Sequence, residues 1–114
     1  MWVRLDDGFF DHRKAIAAGI QGRELALASW CWSSHHRTDG FIPDEVVGHL
    51  AAKVGVAGKW RAKLEEVRLW TPTEGGYDIN DFLVYNPSRD EQEAVVEKRS
   101  KAGRLGAERR WHMP

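Results

Sequence analysis

Five histidines, one cysteine and a group of N-terminal aspartates are the side chains with which this 114-residue chain could do chemistry. A metal centre needs several ligands converging at fixed spacing. His12, His35, His36, His49 and His112 do not offer that: His35 and His36 are adjacent, so on a helix they point apart, and no Cys or His pair has zinc-site spacing. Cys31 stands between Trp30 and Trp32 in an apolar helical pattern, which predicts a buried, inert thiol and not a nucleophile. Asp6, Asp7 and Asp11 resemble a nuclease carboxylate cluster only in number; an Asp-Gly turn and a helix cap account for them. Gly55, Gly58, Gly75 and Gly76 lack the Gly-Lys-Ser/Thr ending of a phosphate loop. The expectation is a binding protein with no catalytic set, metal or cofactor.

Charge points to what is bound. The chain is formally neutral, with 17 basic and 17 acidic residues. From Lys98 to the end, however, six basic residues (Lys98, Arg99, Lys101, Arg104, Arg109, Arg110) face one acid, Glu108. Over 1–86 there are ten basic and twelve acidic residues. A slightly acidic body with a basic end suits a polyanionic partner; the alternative is a solvated, charged terminal helix. No apolar run is long enough to span a bilayer, residues 1–7 do not read as a signal peptide, and one cysteine cannot form a disulfide within the chain. A cytoplasmic protein that does not enter a membrane is expected.

The elements that would position these residues follow from periodicity. Residues 1–5 alternate loosely and suggest a short edge strand. Asp11 suits the cap of a short helix that Gly19 ends. A core helix is expected over 22–35, with Leu25, Leu27, Ala28, Cys31 and Trp32 at helical spacing. Phe41-Ile42 is long enough only to pair with another strand. Pro43, Asp44 and Glu45 open a helix that runs to about Lys53 with Val46, Val47 and Leu50 inward. After a Gly-containing break, Trp60, Leu64 and Val67 predict a helix over 58–68 packed against Leu25, Ala28 and Trp32. Two short extended runs around Gly75-Gly76 read as a hairpin, edge-like because of Pro72, with positive φ at one of the two glycines. Ser88 and Glu91 form a capping box for a last helix, expected to reach about Ala102 before Gly103 and Gly106 weaken it.

Helix, short strand, helix, helix, strand, Gly-rich turn, strand is the order of a winged helix-turn-helix. The expected fold is therefore mainly α with a small β-hairpin: a winged-helix domain over 1–86, then a C-terminal helix and basic tail over 87–114. The second helix of such a pair enters the major groove. With Trp60, Leu64 and Val67 inward, Lys59, Arg61, Lys63 and Arg68 become the candidate DNA contacts, diluted by Glu65 and Glu66. The tail residues Lys98, Arg99, Lys101, Arg104, Arg109 and Arg110 add candidate phosphate contacts. The alternative is the solvated face of an amphipathic helix. Trp111, among Arg109, Arg110 and His112, could stack on bases or pack on the body.

The opening Trp2-Val3-Arg4-Leu5-Asp6-Asp7-Gly8-Phe9-Phe10-Asp11-His12 resembles that of small helix-turn-helix proteins of actinobacterial phages and prophages. Asp39-Gly40-Phe41-Ile42-Pro43, Leu69-Trp70 with Gly75-Gly76-Tyr77, and 81–88 are similar to the same group. They are also similar to the N-terminal winged-helix domains of phage replication-initiation and replisome-organiser (DnaD-like) proteins. The Gly-interrupted basic stretch 101–110 resembles the segment that follows that domain. The resemblance implies double-stranded DNA as partner, replication initiation or transcriptional control as the process, and the host cytoplasm as location. Fuller replication proteins carry a further domain, so it fits either a truncated form or a short stand-alone member. A protein-docking module that binds a replisome or host protein is the rival reading, supported by the neutral charge and by Glu65 and Glu66. A homodimer through the last helix, offering Tyr85, Val95 and Val96, is compatible with both.

Overall fold

A single turn of 3-10 helix, Phe9–Asp11, leads into the longest element of the body, α1 (Arg13–His36). The computed structural model describes residues 2–86 and 88–112, with side chains for all of these except Val84, Tyr85 and 102–112. After α1 come β1 (Phe41–Pro43), α2 (Asp44–Val54), α3 (Trp60–Glu66), β2 (Trp70–Thr73), β3 (Gly76–Ile79), a short α4 (Phe82–Tyr85) and α5 (Arg89–His112). The fold is mainly helical with one small antiparallel sheet of order β1-β3-β2.

α1 is broken at Gly19, whose φ of 74° and ψ of 177° are open only to glycine, where the sequence predicts a helix end. Beyond the break, Gly22, Leu25, Ala26, Ser29 and Ser33 form the buried stripe. α3 crosses this stripe at Gly22. A Cβ there would stand 3.6 Å from Leu64 and 3.9 Å from Trp60, nearly a turn before Leu25, the first residue expected to meet them. Leu64 is fully buried, and Trp60 and Val67 are half-buried against the same core. Ser29 shows how the core tolerates polarity: its hydroxyl donates to Ala26 O (2.6 Å) and accepts from Trp70 Nε1 (3.2 Å).

The hairpin is as expected. Thr73 pairs with Gly76, leaving Glu74 and Gly75 as a two-residue turn, and Gly75 has φ 81°. β2, which contains Pro72, lies at the sheet edge. Gly76 serves another purpose: a Cβ there would lie 2.0 Å from Ile42 O, so only glycine lets β1 run beside β3. The turn also reaches α2, because Asp44 N–H donates to Gly75 O at 2.9 Å.

Four expectations are corrected. Residues 2–6 form no strand; their backbone is held by a side chain, with Arg4 N–H donating to Asn86 Oδ1 (2.7 Å) and Asn86 Nδ2 donating to Arg4 O (3.1 Å). Asp11 lies inside the 3-10 turn, and His12 caps α1 instead, its Nδ1 accepting from Lys14 N–H at 3.2 Å. Cys31 is exposed, because it sits two residues past Ser29, on the far side of the helix from the buried stripe. α5 continues past Ala102 to His112, so Gly103 and Gly106 do not end it. Among the described residues, no helix is long and apolar enough to cross a membrane.

Candidate nucleic-acid interface

The four basic residues expected on one helix face separate in the structure. α3 begins at Trp60 and ends at Glu66. Lys59 precedes it and is exposed; Lys63 is half-buried and lies 3.7 Å from the Glu66 carboxylate. Arg68 is off the helix altogether. It has φ 63° in the turn that follows, and its carbonyl accepts from Asn80 Nδ2 at the base of the hairpin. The reason is that the chain must reverse between Leu64 and Trp70 to start β2, and Leu69 N–H already closes back on Leu64 O at 3.0 Å.

Arg61 has a different task. Its Nε donates to Tyr77 Oη at 3.1 Å, its Nη2 donates to Asp44 Oδ1 at 2.7 Å, and its guanidinium lies 5.1 Å from the centre of the Tyr77 ring. One side chain thus ties α3 to β3 and to the first turn of α2. The interaction with Tyr77, its hydrogen bond first, raises the Arg61 pKa above the ordinary arginine value, and the hydrogen bond and charge of Asp44 add less. Sequence reasoning missed this tie because its partners lie 16 and 17 residues away.

The hairpin brings no basic residue to this surface. Between 69 and 88 the chain has no Lys or Arg, whereas Glu74 in the turn and Asp78 on β3 are exposed. Asp44 and Glu45 open α2, and both are exposed. The helix pair and hairpin therefore carry more acid than the two glutamates noticed in the sequence.

α5 differs in every respect. Its start is fixed by three contacts. Ser88 Oγ accepts from Glu91 N–H (3.2 Å), as the capping box predicts. Asp39 Oδ1, 50 residues away, accepts from Arg89 N–H (2.6 Å), and the buried Gln92 donates from Nε2 to Ser34 O (3.5 Å). Beyond that first turn, residues 93–101 are all exposed, on every side of the helix. Val95 and Val96, which the sequence offers to a second copy, are 44% and 41% exposed. Lys98 and Arg99 are exposed and form no ion pair among the described residues, and Lys101 meets Glu97 at 3.3 Å in an exposed i,i+4 pair. Arg89 pairs likewise with Glu93 (3.0 Å), which raises its pKa. Arg104, Arg109, Arg110 and Trp111 fall within the span of α5, and their side chains lie outside the described residues, as does that of Tyr85. The molecule measures 64 × 29 × 24 Å.

Comparison of the chain with protein-family models, with curated proteins and with solved structures gives no match.

Proposed function

We propose that this chain is a winged-helix-type DNA-binding protein whose phosphate contacts come chiefly from the basic half of α5. The observation that carries the reading is charge segregation. Six basic residues against one acid follow Glu97, on a helix whose residues 93–101 are all exposed, while the body is slightly acidic. Such a helix lowers its own repulsion by meeting a polyanion. The order β1, α2, α3, β2, β3 and the sheet order β1-β3-β2 support the winged-helix assignment. Within the helix pair, Lys59, exposed just before α3, is the residue best suited to base or phosphate contact, with Lys63 in the last turn beside Glu66; Arg61 is occupied with Tyr77 and Asp44. The resemblance to phage replication and regulatory proteins suggests replication initiation or transcriptional control, in the host cytoplasm.

The test is fluorescence polarisation of a random-sequence DNA duplex with the full chain across a salt series. Binding that weakens steeply as salt rises is expected, because neutralised phosphates release counterions. The acids Asp44, Glu45, Glu65, Glu66, Glu74 and Asp78 on the helix pair and hairpin favour a second reading, docking on a replisome or host protein. Absent or salt-insensitive DNA binding would replace the first reading with that one.

A further inference from the structure

An open groove of about 710 Å³ runs between α1 and α2, on the side of the molecule that carries Val3. Its floor is apolar: Leu50 and Val54 from α2, and Trp32 from α1. Trp32 presents a braced surface, since His36 stacks on it with ring centres 4.4 Å apart and planes 29° apart. Its charged lining residues are Arg37 and Lys53, and among the described residues no Asp or Glu lines it, although the chain has 17 acids. Neither cation has an ion-pair partner among the described residues, in contrast to Arg61, Lys63, Arg89 and Lys101.

Arg37 and Lys53 stand at the carbonyl ends of α1 and α2, where positive charge is favourable. Those ends are already served by the backbone. Arg37 and Thr38 N–H donate to Ser33 O; Gly55 N–H donates to Ala51 O and Ala52 O, and Val56 N–H donates to Ala51 O. The two cations therefore remain available to a ligand. The remaining polar lining is Ser34, His35 and His36, so the open groove joins an apolar floor to a polar, positively charged rim, an arrangement suited to an amphipathic ligand.

We propose that this groove binds a small amphipathic anion, with its apolar body over Trp32, Leu50 and Val54 and its acid group drawn by Arg37 and Lys53. Cys31, the only cysteine of the chain, is exposed and lines the same groove, so it reports occupancy directly.

The experiment uses the full chain, with decanoate below its micelle concentration as probe and decanol as its uncharged counterpart. The rate of Cys31 alkylation by neutral iodoacetamide is followed by intact mass. Decanoate should slow alkylation saturably, and decanol should need about tenfold more to do the same, the factor expected for one charge-assisted contact. In the Arg37→Glu/Lys53→Glu variant, protection by decanoate should disappear. If that variant loses its far-UV helix signal, Lys53→Gln, on the exposed last turn of α2, should still raise the half-saturating decanoate concentration several-fold. Protection that is absent, equal for decanol, or unchanged in the charge variants would overturn the proposal.

Discussion

Arg61 and Lys98 are both basic residues on helices, yet they lie in regions built on different terms. Around Arg61, polar groups are committed: its guanidinium bridges Tyr77 and Asp44, Trp70 reaches Ser29, and Asn86 clasps Arg4. Around Lys98, residues 93–101 are exposed and their described contacts are pairs within α5. Exposed i,i+4 pairs of this kind add little to stability, because solvent screens them. At Arg61 the positive charge ties elements of the fold together; at Lys98 it stands exposed on a helix surface. Counting basic residues along the sequence treats the two alike, and the structure separates them.

The contrast should appear most strongly in stability. Trp70, 1% exposed at the junction of sheet and α1, should cost about 3–5 kcal/mol when replaced by alanine, measured by denaturant unfolding. Val96→Ala on α5 should stay within about 0.5 kcal/mol. A large loss at Val96 would mean that α5 packs on something, a second copy first of all. Next comes Gly76→Ala, whose Cβ collides with Ile42 O. It should destabilise by about 1–3 kcal/mol or more, with faster hydrogen exchange along β1.

Smaller effects sharpen the boundary between the regions. Asp39 has φ 56°, so Asp39→Gly suits the backbone while removing the carboxylate that caps α5. A loss of about 0.5–1 kcal/mol is expected, with faster exchange of the first α5 amides and no change in β3. Equal exchange in both variants would show that the capping box alone holds the helix start. Arg61→Ala should lower stability by about 1 kcal/mol or less, because the side chain is 38% exposed and solvent screens its pair with Asp44. The sign of its pH dependence follows from a raised folded pKa. The contribution is full below the unfolded arginine value and is lost only as pH climbs through the still higher folded one, so titration of Arg61 leaves it flat around neutral pH. Lys59→Ala should leave stability unchanged.

What the sequence made legible was local. The break at Gly19, the turn at Gly75, the edge position of Pro72 and the capping box at Ser88 each depend on residues within a few positions, and each is found. The helix pair was readable because Leu64 and its neighbours keep a helical period. What could not be read are ties across the chain. Asn86 to Arg4 spans 82 residues, Asp39 to Arg89 spans 50, and Arg61 to Tyr77 crosses from helix to sheet. Those ties decide which candidate residues remain available. They take Arg61 out of the expected set, while the turn before β2 removes Arg68 from the helix face. Cys31 follows the same logic: its flanking tryptophans suggest burial, but the buried stripe of α1 runs through Gly22, Leu25 and Ser29.

The account's central claim is that the positive charge serving DNA lies on α5 and not on Arg61. The most direct test compares the salt dependence of duplex binding in the full chain, in Lys98→Gln/Arg99→Gln/Lys101→Gln and in Arg61→Gln. The triple variant should bind all sequences more weakly, and the slope of log affinity against log salt should be shallower by about three phosphate-equivalents; Arg61→Gln should leave that slope unchanged. A triple variant that binds with the full chain's affinity and slope, or an Arg61 variant that alone loses both, would contradict the account.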